Sequence, residues 1–136
     1  MKSEIELVIS ERISKNGIMS FSEYMDTLLF HDSHGYYSTK DIFGRKGDFI
    51  TSPTTSSLFG ASIANEFINL RNFIAEPVIL EIGAGDASLV ISIIEHLHNK
   101  KSLPNTFYII ETSEKLIKLQ KANVMKKIPK CSHIVE

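Results

Sequence analysis

Apolar residues recur at helical intervals through the first thirty positions. Ile5, Val8, Ile9 and Ile13 form one stripe, and Phe21, Tyr24, Met25, Leu28 and Leu29 form another. That spacing places each set on one face of an amphipathic helix. Ser3 with Glu6, and Ser20 with Glu23, have capping-box spacing at the head of each stripe, and Gly17 is placed to end the first. A helical hairpin is therefore expected over roughly residues 1–30. From His31 to Ser52 neither helical nor alternating periodicity persists, and a loop of about twenty residues in a compact domain is usually functional or disordered. Tyr36, Tyr37, Phe43 and Phe49 give this stretch apolar surface to bury. Gly35, Gly44 and Gly47 permit tight turns within it, so an ordered loop is expected.

Pro53, with Ser52 before it as cap, suits a first helical turn, and Leu58, Phe59, Ile63, Phe67 and Ile68 predict a helix running towards Ala75. Pro77 then resets the backbone. Val78 to Ile82 is apolar and β-branched apart from Glu81, and Leu89, Val90, Ile93, Ile94 and Leu97 return to helical spacing. A second apolar run, Phe107 to Ile110, ends at Glu111, and Ser113 caps a helix carrying Leu116, Ile117 and Leu119. This βαβα order implies parallel strands whose carboxyl ends bind the ligand. Ile134 and Val135 predict the start of a third strand. The expected fold class is α/β, a partial Rossmann-like sheet of two or three parallel strands preceded by an N-terminal helical region. By element type it divides into residues 1–75 and 76–136.

Composition narrows the function classes. A chain of 136 residues with 43% hydrophobic and 23% charged residues fits one core. Fifteen Lys and Arg against sixteen Asp and Glu leave a net charge of −1, so no global positive field gathers nucleic acid or an anionic membrane. Lys121, Lys126, Lys127 and Lys130 lack interleaved aromatics and read as a solvated helix face. No apolar run approaches the roughly 20 residues that span a bilayer, and the single Cys131 cannot form an internal disulfide. Glu4, Glu6 and Glu11 are unlike a secretory signal or an Arg-rich presequence, so a cytoplasmic location is expected. His31, Asp32 and His34 lack further partners at metal-ligand spacing, and no metal is expected.

The chemistry concentrates in "VILEIGAGDASLV". Gly83 and Gly85, with Ala84 between them, keep side chains out of the way of a close ligand, and the following helix offers free N–H donors. Glu111 lies 24 positions beyond Ala87, near the offset at which a carboxylate accepts hydrogen bonds from ribose hydroxyls. The dinucleotide fingerprint requires glycine at position 88, where this chain has Ser88. Asp86 also sets a negative charge where a pyrophosphate would lie. S-adenosylmethionine (SAM) fits better, because it has a ribose, no phosphate, and an ammonium for Glu81 or Asp86 to attract. An NAD-dependent oxidoreductase and a non-catalytic cofactor-binding module are the alternatives.

"ILEIGAGDASL" followed by "YIIETSEKLIKLQ" resembles motif I and the acidic motif of class I SAM-dependent methyltransferases. More specifically, "HGYYSTKDIFGRKGDFITSP" followed by "SLFG" resembles the MidA-like methyltransferases, which include a mitochondrial complex I assembly factor. The resemblance implies a class I SAM-methyltransferase sheet. For the mitochondrial relatives it implies methylation of an arginine in a complex I subunit. It puts Gly83 and Gly85 against the methionine part of SAM, Glu111 on its ribose, and Gly47, Asp48, Phe49 and Thr51 near the cofactor pocket. Two positions depart from the pattern. Ala87 replaces a frequent glycine, and with negative φ it would preserve the turn with reduced binding. Thr54 replaces a frequent glutamate. Methyl transfer depends on positioning more than on acid or base power, and no catalytic residue is assigned. The chain is also short for the family, so pairing with a C-terminal half is expected.

Overall fold

The computed structural model describes residues 2–39, 47–48 and 50–136. The chain forms two compact units, Met1–Ile42 and Phe43–Glu136. In the first, α1 (Glu4–Asn16) and α2 (Phe21–Phe30) form the expected hairpin, followed by the single turn α3 (Tyr36–Thr39). The caps act as the sequence predicts. The Ser3 and Ser20 backbone N–H groups donate to Glu6 Oε2 at 2.6 Å and to Glu23 Oε2 at 2.8 Å, and Gly17 closes α1 at φ 83°. Phe30 stacks on Tyr37 at 5.4 Å and Tyr36 meets Tyr37 edge-on at 5.3 Å, so the beginning of the aromatic stretch is ordered. Phe43, Gly44 and Phe49 lie outside the described residues.

In the second unit, the helix predicted from Pro53 to Ala75 is divided. It consists of α4 (Ser52–Thr55), α5 (Ser57–Leu70) and a 3-10 turn over Arg71–Phe73. The cap of α4 is Thr51, not Ser52, and Ser56 is extended at φ −152°. Six of the seven residues from Thr51 to Ser57 carry hydroxyls, which compete for the backbone groups a continuous helix would use. Thr54 Oγ1 accepts from Thr51 N at 3.0 Å, and Ser56 Oγ accepts from Leu58 N at 3.2 Å to start α5 afresh.

The strands β1 (Ile79–Ile82) and β2 (Phe107–Ile110) run parallel, with Ile79 opposite Phe107 and Ile82 opposite Ile110. Between and after them lie α6 (Ser88–Asn99) and α7 (Glu114–Lys127). Val135 bridges Phe107 in parallel, with Glu136 N donating to Phe107 O at 2.9 Å and Ile109 N to Glu136 O at 2.8 Å, so the chain enters a third strand position beside β2. This is the expected partial Rossmann-like α/β sheet. Its core joins Ala64 and Phe67 of α5, Val90, Ile93, Ile94 and Leu97 of α6, and Phe107. Each such large apolar side chain, fully buried, contributes roughly 1.5–3 kcal/mol. The helix over 57–70, grouped by sequence with the N-terminal region, thus packs with the glycine-turn unit. Ile79 and Ile109 pack towards this core, whereas Leu80, Ile82, Tyr108 and Ile110 alternate to the other face and are exposed. No described helix is long and apolar enough to cross a membrane.

Candidate functional site

The two segments singled out by sequence leave the carboxyl ends of neighbouring strands. After β1 the backbone turns through Gly83 at φ 71°, Gly85 at φ 56° and Ala87 at φ 67°. All three are left-handed, a conformation natural to glycine and costly for alanine. The condition of negative φ attached to Ala87 is therefore not met. The strain is held in place because Ala87 is fully buried, its N–H donates to Ala84 O at 2.8 Å, and its carbonyl accepts the first helical bond from Ile91 N. A side chain at Gly83 would meet nothing within 4 Å. Packing does not demand that glycine, so its role is the backbone turn.

Thr51, Pro53 and Thr54 of the α4 segment join Glu81, Gly83, Ala84, Gly85, Asp86, Ser88 and Leu89 around a cleft of about 170 Å³. Two carboxylates thus share one small cleft. Asp86 Oδ1 accepts from Ser88 N at 3.0 Å, occupying one of the helix-start donors that an anion would use. Glu81 differs from it: among the described residues its Oε2 is buried without a hydrogen-bond partner. Burial pushes the Glu81 carboxyl up to about 7, and the neighbouring Asp86 charge pushes in the same direction. Such a cleft repels phosphate and attracts a cationic donor. Gly47 and Asp48 form a bend before α4 and are not among the residues lining the cleft. Phe49 lies outside the described residues.

Glu111 lines a different, largely apolar cavity of about 530 Å³, shared with Ile109, Ile117, Val124, Met125 and Val135. Its Oε1 accepts from Thr112 N at 2.8 Å and Ser113 N at 3.0 Å, and its Oε2 accepts from Gln120 Nε2 at 3.3 Å. A carboxylate offers about four acceptor positions, which leaves room for a further donor.

Two residues that sequence reasoning passed over tie these segments together. Gln120 Nε2 also donates to Gly85 O at 3.1 Å, and Asn123 Nδ2 donates to Asp86 O at 2.9 Å, so α7 holds the glycine turn from behind. A signal for Gln120 is present in the sequence: it falls between Leu116 and Val124 at four-residue steps, a polar residue inside a buried stripe.

No protein-family model matches the chain. Among curated proteins, it is 31% identical over 126 residues to the human protein named protein arginine methyltransferase NDUFAF7, mitochondrial, covering 87% of this chain and 29% of that protein. The Drosophila melanogaster homologue of that name is 31% identical over 113 residues, covering 80% of this chain and 26% of its own length. A solved COG1565 superfamily member from Burkholderia thailandensis, bound to S-adenosyl-homocysteine (SAH), superposes on 97% of this chain with a TM-score of 0.85 at 26% identity. The chain belongs to the MidA-like class I methyltransferases. It spans under a third of the length of these curated relatives and 35% of the solved structure. In this methyltransferase-family chain, the βα turn after β1, the carboxylate after β2 and the α4 segment all lie within the Phe43–Glu136 unit.

Proposed function

We propose that the turn after β1 and the carboxylate after β2 form the SAM site of a methyltransferase, with this chain contributing its cofactor-binding portion. The observation that carries this reading is the pair Glu81 and Asp86 in one cleft, with Glu81 Oε2 buried and unpartnered among the described residues. A buried carboxylate is costly until it meets a donor or a cation. The amino-acid end of SAM carries an ammonium and is small enough for a cleft of about 170 Å³. A dinucleotide would instead bring pyrophosphate to two negative groups.

In this proposal Gly83, Ala84 and Gly85 supply the close backbone, Glu81 with Asp86 holds the cationic end, and Glu111 accepts from the ribose. Gly47, Asp48, Phe49 and Thr51 complete the pocket by family resemblance, Thr51 being the one of these that lines the cleft. The cofactor supplies an electrophilic methyl on a sulfonium. These residues bind and orient the cofactor and take no proton from the acceptor. The acceptor class is a protein arginine, as the relatives' names suggest for them, and resemblance extends it to a respiratory complex I subunit. The exposed apolar sheet face supports pairing with a further polypeptide half. A reducing, cytoplasmic compartment is also part of the proposal. It is supported by the acidic Glu4, Glu6 and Glu11 at the N-terminus, although the curated relatives are named as mitochondrial.

Calorimetric titration with SAH, 5′-methylthioadenosine and NAD tests the reading. SAH should bind tightest, methylthioadenosine more weakly because it lacks the ammonium, and NAD weakest. NAD binding tighter than SAH would reverse the assignment.

A further inference from the structure

We propose that Gln120 is a positioning residue that sets the relation between the glycine turn and Glu111. The proposal rests on the SAM-site reading above. Its side chain is buried at 4% exposure, in a helical stripe with Leu116 and Val124, where an apolar residue would pack as well. A buried amide in such a position is unfavourable unless its donors are used. Both hydrogens of Nε2 are used, one on Gly85 O at 3.1 Å and one on Glu111 Oε2 at 3.3 Å. The two partners are acceptors, so the amide orientation is fixed by the network itself, with the NH₂ facing them.

These acceptors belong to different βα loops, 26 residues apart in sequence, whose bases are joined by Gly83 N–H donating to Ile110 O at 2.9 Å. Gln120 therefore does for the site what an outer hydrogen-bond partner does for a ligating side chain. Together with the Thr112 and Ser113 N–H groups it holds the Glu111 carboxylate, and it fixes the Gly85 carbonyl. Asn123, one turn further along α7, holds the next carbonyl, Asp86 O, at 2.9 Å. A glutamate at position 120 would face two acceptors with no donor, and a leucine would fill the volume but leave both acceptors unpaired.

The test is a double-mutant cycle read by SAH calorimetry on the 136-residue chain. Gln120→Leu should weaken SAH binding about tenfold, the order expected when a buried hydrogen bond to a charged group is lost. In a Glu111→Ala background the same change should cost less than that, because part of its effect runs through Glu111. Ile94→Val, in the core and lining neither cavity, should lower the unfolding midpoint without weakening SAH binding. If Gln120→Leu does not fold, Gln120→Met carries the same cycle with an unbranched stem. Unchanged affinity, or losses that multiply independently across the cycle, overturn the positioning role while leaving the site reading intact. Absence of SAH binding by the unsubstituted chain overturns that site reading and the proposal with it.

Discussion

At the level of single residues, burial raises the Glu81 carboxyl and the turn holds Ala87 in left-handed backbone. Burial, with the Asp86 charge beside it, holds the Glu81 carboxyl up at about 7, above its ordinary value of 4.5. Its contribution to stability is therefore full below about 4.5 and is lost as pH rises through 7, because the unfolded chain gives up the proton first. The unfolding midpoint should fall between pH 5 and pH 8, and Glu81→Gln should flatten that part of the profile in thermal melts. Ligand binding should run the other way. A cationic ligand end selects ionised Glu81, so SAH affinity should rise about tenfold from pH 6 to pH 8. A flat affinity profile would remove Glu81 from the cationic subsite. At Ala87, left-handed backbone costs an alanine about 1–2 kcal/mol, and the buried methyl returns about 0.8 kcal/mol. Ala87→Gly should therefore be neutral or stabilising by up to about 1 kcal/mol in denaturant unfolding, whereas the same change inside a helix destabilises. The letters located this turn but not the sign of φ at Ala87, since only a three-dimensional path decides which residue after Gly85 must bend left.

At the level of elements, α5 and α6 meet closely because of Gly60. A β-carbon there would collide with Ser92 Oγ, lie 2.6 Å from Ser92 Cβ and come within 3.2 Å of Ile93 N. The contact is fastened by Ser92 Oγ donating to Ser57 O at 3.0 Å. Gly60→Val should destabilise by roughly 1–3 kcal/mol, the cost of overpacking, read as a shifted urea midpoint. A midpoint within error of the unsubstituted chain would contradict this close packing. The hairpin and the start of α7 are legible in the sequence because periodicity and caps agree there, and the strands and α6 are legible from their apolar runs and spacing alone, the N-cap Ala87 of α6 making no side-chain cap bond. The break at Ser56 is not, because Leu58 to Ile68 continues a helical stripe that Pro53 is placed to open. The competition of six hydroxyls for backbone groups outweighs that pattern. Gln120 escaped for the converse reason: a helix stripe is read by its apolar members, and its one polar member takes its meaning from loops that meet only in the fold.

For the molecule as a whole, the exposed sheet face is the dominant physical feature. Ile82 is 75% exposed and Leu80 54%, on strands whose other face is core. Exposed apolar strand surface of this kind promotes association. The chain should associate with rising concentration in sedimentation, and Leu80→Lys with Tyr108→Lys should suppress this without unfolding the protein. Composition gives no hint of that face, since its outward positions Leu80, Ile82, Tyr108 and Ile110 are as apolar as a buried face would be. In the proposed site the glycine turn and Glu111 together hold a SAM-type ligand. Calorimetric titration of SAH into the chain and into Glu111→Ala is the decisive experiment. Saturable one-to-one binding, weakened at least about tenfold by the substitution, as expected for loss of charge-assisted hydrogen bonds, is the predicted result. Equal affinities, or no binding by either protein, would contradict it.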